Sequence, residues 1–356
     1  MRSDKSLTSF KSLLKTAEGR FCRLREAPFV ASQILITRDV EGFPFREDNK
    51  IPRQNMGEDL KKILESCDPL KNWIFVDHEK LSPNDYVRLA DLHLFDDKGS
   101  PDVVIEPRRN PDTAIYVNAR DNFQFVICGN DNAEKDWLAR YEKLSGLVSE
   151  IEETVNFAQT ADLGYLTSSP EMVGNAVSLQ ALLHLPALLI EERMGQVVDA
   201  CNAVGVRVRG YRLKDSDSTG AYFTLETSRM LGTTPKELIR KFSELCGELV
   251  RQEERSREKL ADDERLFFKI QDCYAQARFC SMFSYGQAMN VVALLLLGVG
   301  LGYFPEDLKT ELDLLPPNLC DSAFPSAAPD QRLEQRATLI RETLEGLPPP
   351  RKKRKS

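Results

Sequence analysis

The sequence predicts an α+β protein built on an antiparallel sheet, and two observations carry that prediction. Strand-like runs come in close pairs, 114–118 with 123–128 and 206–211 with 221–225, each joined by a polar turn or loop. Between and after them lie long segments whose apolar residues recur at spacings of three and four, the helical period. Hairpins interleaved with helices pack as an antiparallel sheet with helices against it.

The elements follow in order. Residues 31–40 read as a strand around Ile34-Leu35-Ile36, and 56–67 as a helix through Leu60, Ile63 and Leu64. Trp73-Ile74-Phe75-Val76 is a short apolar piece, and Ser82-Pro83-Asn84-Asp85 has the form of a helix start with proline first. Residues 48–98 are therefore expected to form a small helical unit. Residues 137–157 read as a helix through Leu138, Tyr141, Leu144, Val148, Ile151 and Val155, and 177–199 as a second helix containing Pro186. A long helix is expected over 235–259, resuming near Asp262, with its charge run on a solvated face. The remainder to 345 reads as helical, broken by Pro305, Pro316-Pro317 and a Pro/Ala/Ser-rich linker at 322–329.

Residues 281–304 carry no charge and contain Val291-Val292-Ala293-Leu294-Leu295-Leu296-Leu297. A membrane span needs about 20 apolar residues. Ser284, Gln287 and Asn290 interrupt the first half, and Gly298, Gly300 and Gly302 the second. The stretch is expected to be a buried or interface helix, with no membrane contact.

Composition bounds the function. The chain has 356 residues, 42% hydrophobic and 29% charged, which fits a soluble globular protein with one large core or two smaller ones. Net charge is −7, and with five cations at 351–355 set aside the body carries −12, so its field does not attract nucleic acid. The basic tail follows Pro348-Pro349-Pro350 and is expected to be solvated and disordered. Eight scattered cysteines with no C-x-x-C pair, and only three histidines, argue against zinc and against a disulfide framework. His78, His93 and His184 carry no assigned chemistry, and His184 reads as structural. The first residues lack the apolar core of a signal peptide, so a reducing cytoplasm is expected.

The most specific segment is Gly164-Tyr165-Leu166-Thr167-Ser168-Ser169-Pro170, followed by Val173-Gly174 and then Leu183-His184-Leu185-Pro186. It resembles the core signature of the ATP:guanidino phosphotransferases, and in particular the G-Y-L-T-x-C-P-x-N-V-G and L-H-L-P segments of bacterial protein-arginine kinases. Val208-Arg209-Gly210 resembles the V-R-G element of that family. The resemblance runs from about residue 30 to 341. It implies a guanidino-kinase catalytic domain over 28–255, a helical C-terminal domain over 256–345 that mediates dimerisation, and a basic tail over 346–356.

The resemblance also implies which positions carry the chemistry. Phosphoryl transfer to a guanidinium requires neutralised triphosphate charge and a positioned acceptor. The family uses arginines for the first and two glutamates for the second. Its strand S-S-R-I-R-L-A-R-N aligns with Ala31-Ser32-Gln33-Ile34-Leu35-Ile36-Thr37-Arg38-Asp39, so two phosphate arginines are Gln33 and Leu35 while Arg38 is kept. Its N-E-E-D-H motif falls on Asn118-Ala119-Arg120-Asp121-Asn122, replacing both glutamates, and the next arginine is Gln124. Ser169 stands at the cysteine position and Ser178 at another phosphate arginine; Arg209 keeps its arginine, and the second catalytic glutamate is Lys214. Asp215 and Asp217, with Asp121, are the candidate surrogate carboxylates.

Near the C-terminus, Arg332-Leu333-Glu334-Gln335-Arg336-Ala337 resembles the R-D-x-x-R-A motif with which protein-arginine kinases read phosphoarginine, with Leu333 at the aspartate. Arg332 and Arg336 lie one helical turn apart and can reach one phosphate. The expected function is a protein-arginine-kinase-like pseudokinase with a regulatory or phosphoarginine-binding role, a homodimer serving a client or activator of a proteolysis or stress-response system. The alternative is a divergent, active ATP-dependent protein-arginine kinase, using ATP and Mg.

Overall fold

The computed structural model describes residues 27–45, 53–77, 81–82, 85, 102–106, 112–211, 219–228, 232–324 and 326–352. Strand β1 (Phe29–Arg38) leads to helix α1 (Arg53–Ser66), then strands β2 (Ile74–Val76), β3 (Asp102–Ile105), β4 (Thr113–Val117) and β5 (Phe123–Gly129). Helix α2 (Glu134–Glu152) follows, then the small hairpin β6 (Gln159–Thr160) and β7 (Gly164–Tyr165), and β8 (Val177–His184). Helices α3 (Pro186–Ile190) and α4 (Met194–Ala203) precede β9 (Val206–Gly210) and β10 (Tyr222–Thr227). The rest is helical: α5 (Pro235–Leu260), α6 (Glu264–Phe279), α7 (Tyr285–Gly300), α8 (Leu308–Asp313), α9 (Leu315–Asn318) and α10 (Pro329–Thr343).

Eight strands hydrogen-bond in the order β2-β3-β4-β5-β1-β8-β10-β9. The pairings of β2 with β3, β3 with β4, β4 with β5 and β5 with β1 are antiparallel. The α+β class and the hairpin at 114–128 hold. One element differs. Val177–His184 is a strand, not the first half of a helix, and helix α3 begins only at Pro186. A run buried along most of its length, such as Val177-Ser178-Leu179, loses the alternation that marks a strand. The short apolar piece at 73–76 includes β2, so 48–98 is not helical throughout.

The chain divides into two compact units. The first takes in Ser32–Gln180 and Glu226–Glu244, the second Cys22–Ala31, Ala181–Leu225 and Leu245–Ser356. In the first, Ile34, Ile36, Phe123, Phe125, Trp137, Leu144, Val148 and Ile151 are buried. Phe157 meets Phe123 and Phe125 edge-on at 6.4 Å, and Trp137 meets Phe242 at 5.5 Å, aromatic geometries that add to area burial.

In the second unit α7 is the central helix. Ser284 caps it reciprocally with Gln287: the Gln287 N–H donates to Ser284 Oγ at 3.3 Å, and the Ser284 N–H to Gln287 Oε1 at 2.9 Å. Leu295, Leu296 and Leu297 are wholly buried, packed with Ile270 and Ala277 of α6 and Ala337 and Ile340 of α10. This accounts for the apolar run within the uncharged stretch 281–304 as core. Among the described residues no helix is long and apolar enough to cross a membrane. The tail is bound rather than free as far as Lys352. Arg351 N–H donates to the Tyr303 carbonyl at 3.0 Å, and Tyr274 Oη to the Leu347 carbonyl at 2.6 Å.

Candidate functional site

The positions that correspond to family chemistry lie largely on β1, β5 and the turn that follows β4. Strand β1 pairs with β5 in register, Gln33 opposite Cys128, Leu35 opposite Val126, Thr37 opposite Gln124 and Arg38 opposite Phe123. Successive side chains of a strand point to opposite faces, and directly paired residues share a face. Gln33, Leu35 and Gln124 therefore lie together on one face. All three are half-buried. None of these side chains is cationic.

Arg38 points to the other face. Its side chain is buried, with 7% of the residue exposed, and its guanidinium carbon sits 3.4 Å from the ring centroid of Tyr165. Its Nη1 donates to the Thr37 carbonyl at 2.7 Å. Tyr165 Oη contacts both carboxylate oxygens of Glu152, at 2.9 and 3.1 Å, donating its one proton between them. Burial lowers the pKa of Arg38, and the charges of Tyr165 and Glu152 oppose that shift. The one arginine kept on β1 is thus held in a buried stack, away from Gln33 and Leu35. Arg38, expected from the resemblance to contact nucleotide, thus does not share the face of Gln33 and Leu35. Its even position against Gln33 and Leu35 was the signal in the sequence.

The turn after β4 is fixed by its backbone. Asn118 takes a left-handed φ of 57° and its N–H donates to the Asn122 carbonyl at 2.8 Å. Ala119, at the first glutamate position, is buried. Arg120, at the other glutamate of the N-E-E-D-H motif, has an exposed side chain, paired loosely with Glu171 at 3.6 Å.

Asp121 is buried and does not present its carboxylate to solvent. Its Oδ1 accepts the Ser168 N–H at 2.8 Å, and the same N–H lies 2.9 Å from Asp39 Oδ2. Asp39 Oδ1 also accepts the Asn122 N–H at 2.6 Å. Two carboxylates thus meet at one amide. Burial, then the charge of Asp121, push Asp39 up to about 7, against the hydrogen bonds from Asn122 and Ser168. Burial also raises Asp121, opposed mainly by the Ser168 amide and Gln124. Asp39 was not singled out from the sequence as a site residue. Its only signal was aspartate where the family pattern has asparagine.

The Gly-Tyr-Leu-Thr segment builds this arrangement. Gly164 has φ 75°, and a Cβ there would stand 2.7 Å from the Gly174 carbonyl oxygen, so only glycine fits. Tyr165 and Gly174 exchange both backbone hydrogen bonds, at 2.9 and 3.0 Å. That clamp sets Tyr165 beneath Arg38 and brings the Ser168 amide to the two aspartates.

Ser178 lies on β8, a strand rather than a helix, buried with its Oγ 3.5 Å from Thr227 Oγ1. Arg209 lies on β9 in the second unit, half-buried. Lys214, Asp215 and Asp217, like His78 and His93, lie outside the described residues. Among the described residues no group of three or more His, Cys, Asp or Glu is disposed to hold a metal ion. A cavity of about 490 Å³ in the first unit is lined by Val40, Glu41, Phe43, Glu152, Phe157 and Leu166 among others, and by none of the chemistry positions.

Arg332 and Arg336, on α10, do converge. Arg336 is 3% exposed and its Nε donates to the Leu319 carbonyl at 2.6 Å. Its Nη2 donates to Asp321 Oδ1, and Arg332 Nη1 stands 3.6 Å from Asp321 Oδ2.

Residues 55–256 match the model of the ATP:guanido phosphotransferase C-terminal catalytic domain. The chain belongs to the ATP:guanido phosphotransferase family. It is 28% identical over 297 residues to the protein-arginine kinase of Geobacillus thermodenitrificans, covering 80% of this chain and 77% of that one. It is 24% identical over 329 residues to the protein-arginine kinase of Bacillus cereus strain AH187, covering 88% and 92%. Within the family it is a divergent relative of the bacterial protein-arginine kinases. In fold it resembles the duplicated taurocyamine kinase of Schistosoma mansoni, with a TM-score of 0.54 at 15% identity. That likeness covers 82% of this chain and spans about half, 47%, of the duplicated protein.

Proposed function

We propose that this member of the ATP:guanido phosphotransferase family is a pseudokinase that keeps the fold and has given up phosphoryl transfer for a binding or regulatory role. The single observation that supports this most is the face shared by Gln33, Leu35 and Gln124, which offers a triphosphate no positive charge. A guanidinium–phosphate contact contributes about 1.5–3 kcal/mol, and losing several removes most of the site's grip on nucleotide. The retained Arg38 is committed to Tyr165 on the opposite face. The acceptor side fails for its own reason. Ala119 offers no carboxylate, Arg120 repels a guanidinium, and Asp121 is buried against the Ser168 amide. The described residues do not fit ATP with Mg.

The binding role rests on Arg332 and Arg336, one turn apart and directed at a single carboxylate, as a phosphoarginine reader requires. Phe268 and Phe279, on one face of α6 and 58% and 83% exposed, favour a homodimer through the second unit. A client or activator in a proteolysis or stress-response system, acting in the cytoplasm, is the setting in which such a reader would serve. The test is incubation with Mg-ATP and an arginine-rich protein. No phosphoarginine should form, by mass spectrometry under non-acidic conditions. Product that disappears in Asp215→Ala or Asp217→Ala would establish the active alternative instead.

A further inference from the structure

Two guanidinium groups face one carboxylate at Asp321. Arg336 is the buried member, fixed by the Leu319 carbonyl and set 5.8 Å from the Phe324 ring centroid. Arg332 is held by its Nε on the Ala327 carbonyl at 3.1 Å. Asp321 differs from both. Its side chain is 62% exposed, and it opens the short 3-10 turn Asp321–Ala323. The buried cation thus receives its anion from a side chain that solvent reaches freely.

Charge does not balance in that cluster. Two guanidiniums carry two positive charges, and one carboxylate returns a single negative charge. A phosphoryl group carries about −1.5 to −2 near neutral pH and three acceptor oxygens. It matches two guanidinium forks better than a carboxylate does. Leu333 stands between the two arginines in sequence, half-buried, and its backbone carbonyl accepts the Phe283 N–H at 3.0 Å. It contributes no competing charge.

We propose that Asp321 is the internal occupant of a phosphoryl-binding site formed by Arg332 and Arg336, and that an incoming phosphoryl group displaces its carboxylate. This rests on the phosphoarginine-binding reading above. Asp321 sets the affinity of the site: it supplies Arg336 with an anion while the site is empty, and it competes with every ligand. Moving the turn Asp321–Ala323 aside is then coupled to ligand binding, since Asp321 cannot stay beside a phosphoryl group of like charge.

The test is calorimetric titration of the full chain with phosphoarginine, arginine and inorganic phosphate as separate probes. Asp321→Asn keeps side-chain size and removes the charge. It should bind phosphoarginine at least ten-fold more tightly than the unchanged chain, and Arg332→Gln added to it should abolish the gain. Arginine should not bind. Equal phosphoarginine affinity with and without Asp321→Asn overturns the internal occupant and leaves the phosphoarginine reading standing. No binding in either overturns both. An equal gain for inorganic phosphate supports the displaced carboxylate but overturns the phosphoarginine reading in favour of free phosphate. If Asp321→Asn does not fold, Asp321→Ser, which keeps an acceptor for Arg336, is held to the same ten-fold gain.

Discussion

The guanidinium of Arg38 lies over the ring of Tyr165 at 3.4 Å, and Tyr165 in turn donates to Glu152. This stack makes Arg38 part of the core. A cation over a desolvated ring contributes about 2 kcal/mol, and the carboxylate behind the ring adds to it. Arg38→Ala should therefore lower unfolding stability by about 2–3 kcal/mol in chemical denaturation. It should leave nucleotide affinity unchanged. A stable variant with weakened nucleotide binding would return Arg38 to the site.

The Asp39–Asp121 pair predicts a pH dependence. Asp39 titrates at about 7 in the folded chain, against an ordinary 3.8. A raised acid binds its proton more tightly when folded, so stability is greatest below the unfolded pKa and falls as pH rises towards 7. The slope from this group is at most about 1.4 kcal/mol per pH unit. Asp39→Asn removes the titration and keeps one carbonyl oxygen, an acceptor for only one of the Asn122 and Ser168 amides, so its overall stability falls while its pH dependence is lost. Urea midpoints at pH 5 and pH 8 should differ less in Asp39→Asn than in the unchanged chain. An equal difference would place the pH dependence elsewhere.

Glu253, on α5, holds the start of α3 just after the Leu-His-Leu-Pro segment. It is fully buried, accepts the Ala187 and Leu188 N–H groups at 3.0 and 2.9 Å, and takes Arg257 Nε at 2.7 Å. Removing one partner of a buried pair strands the other. Glu253→Ala should cost about 3–5 kcal/mol. Glu253→Gln, which still accepts, should cost less. Thermal melts that rank the two equally would show that the acceptor oxygen kept by Glu253→Gln contributes nothing.

Leu296 is wholly buried in the core around α7. Leu296→Asp places a carboxylate among apolar side chains, a change that exceeds about 4 kcal/mol. The variant should be insoluble or lose the near-ultraviolet signal of its C-terminal aromatics. A folded, soluble monomer would instead make Leu296 an interface residue.

The sequence made the fold legible where periods were clean, as in the hairpin of β4 and β5 and the long helix α5. It misled at 177–184, where burial of most side chains erased the strand's alternation. The expectation that family chemistry is lost was drawn residue by residue from Gln33, Leu35, Ala119, Gln124 and Ser178. What those positions became was not legible. The stack of Arg38 on Tyr165 joins residues far apart in sequence, and so does the shared Ser168 amide of Asp39 and Asp121. The helical spacing of Arg332 and Arg336 announced their convergence, while Asp321 lies in a separate turn that no local pattern links to them.

The most direct test of the pseudokinase reading is calorimetric titration of the full chain with Mg-ATP. With Gln33, Leu35, Gln124 and Ser178 in place of arginines, no binding tighter than about 1 mM, or roughly −4 kcal/mol, is expected. A micromolar dissociation constant would contradict it.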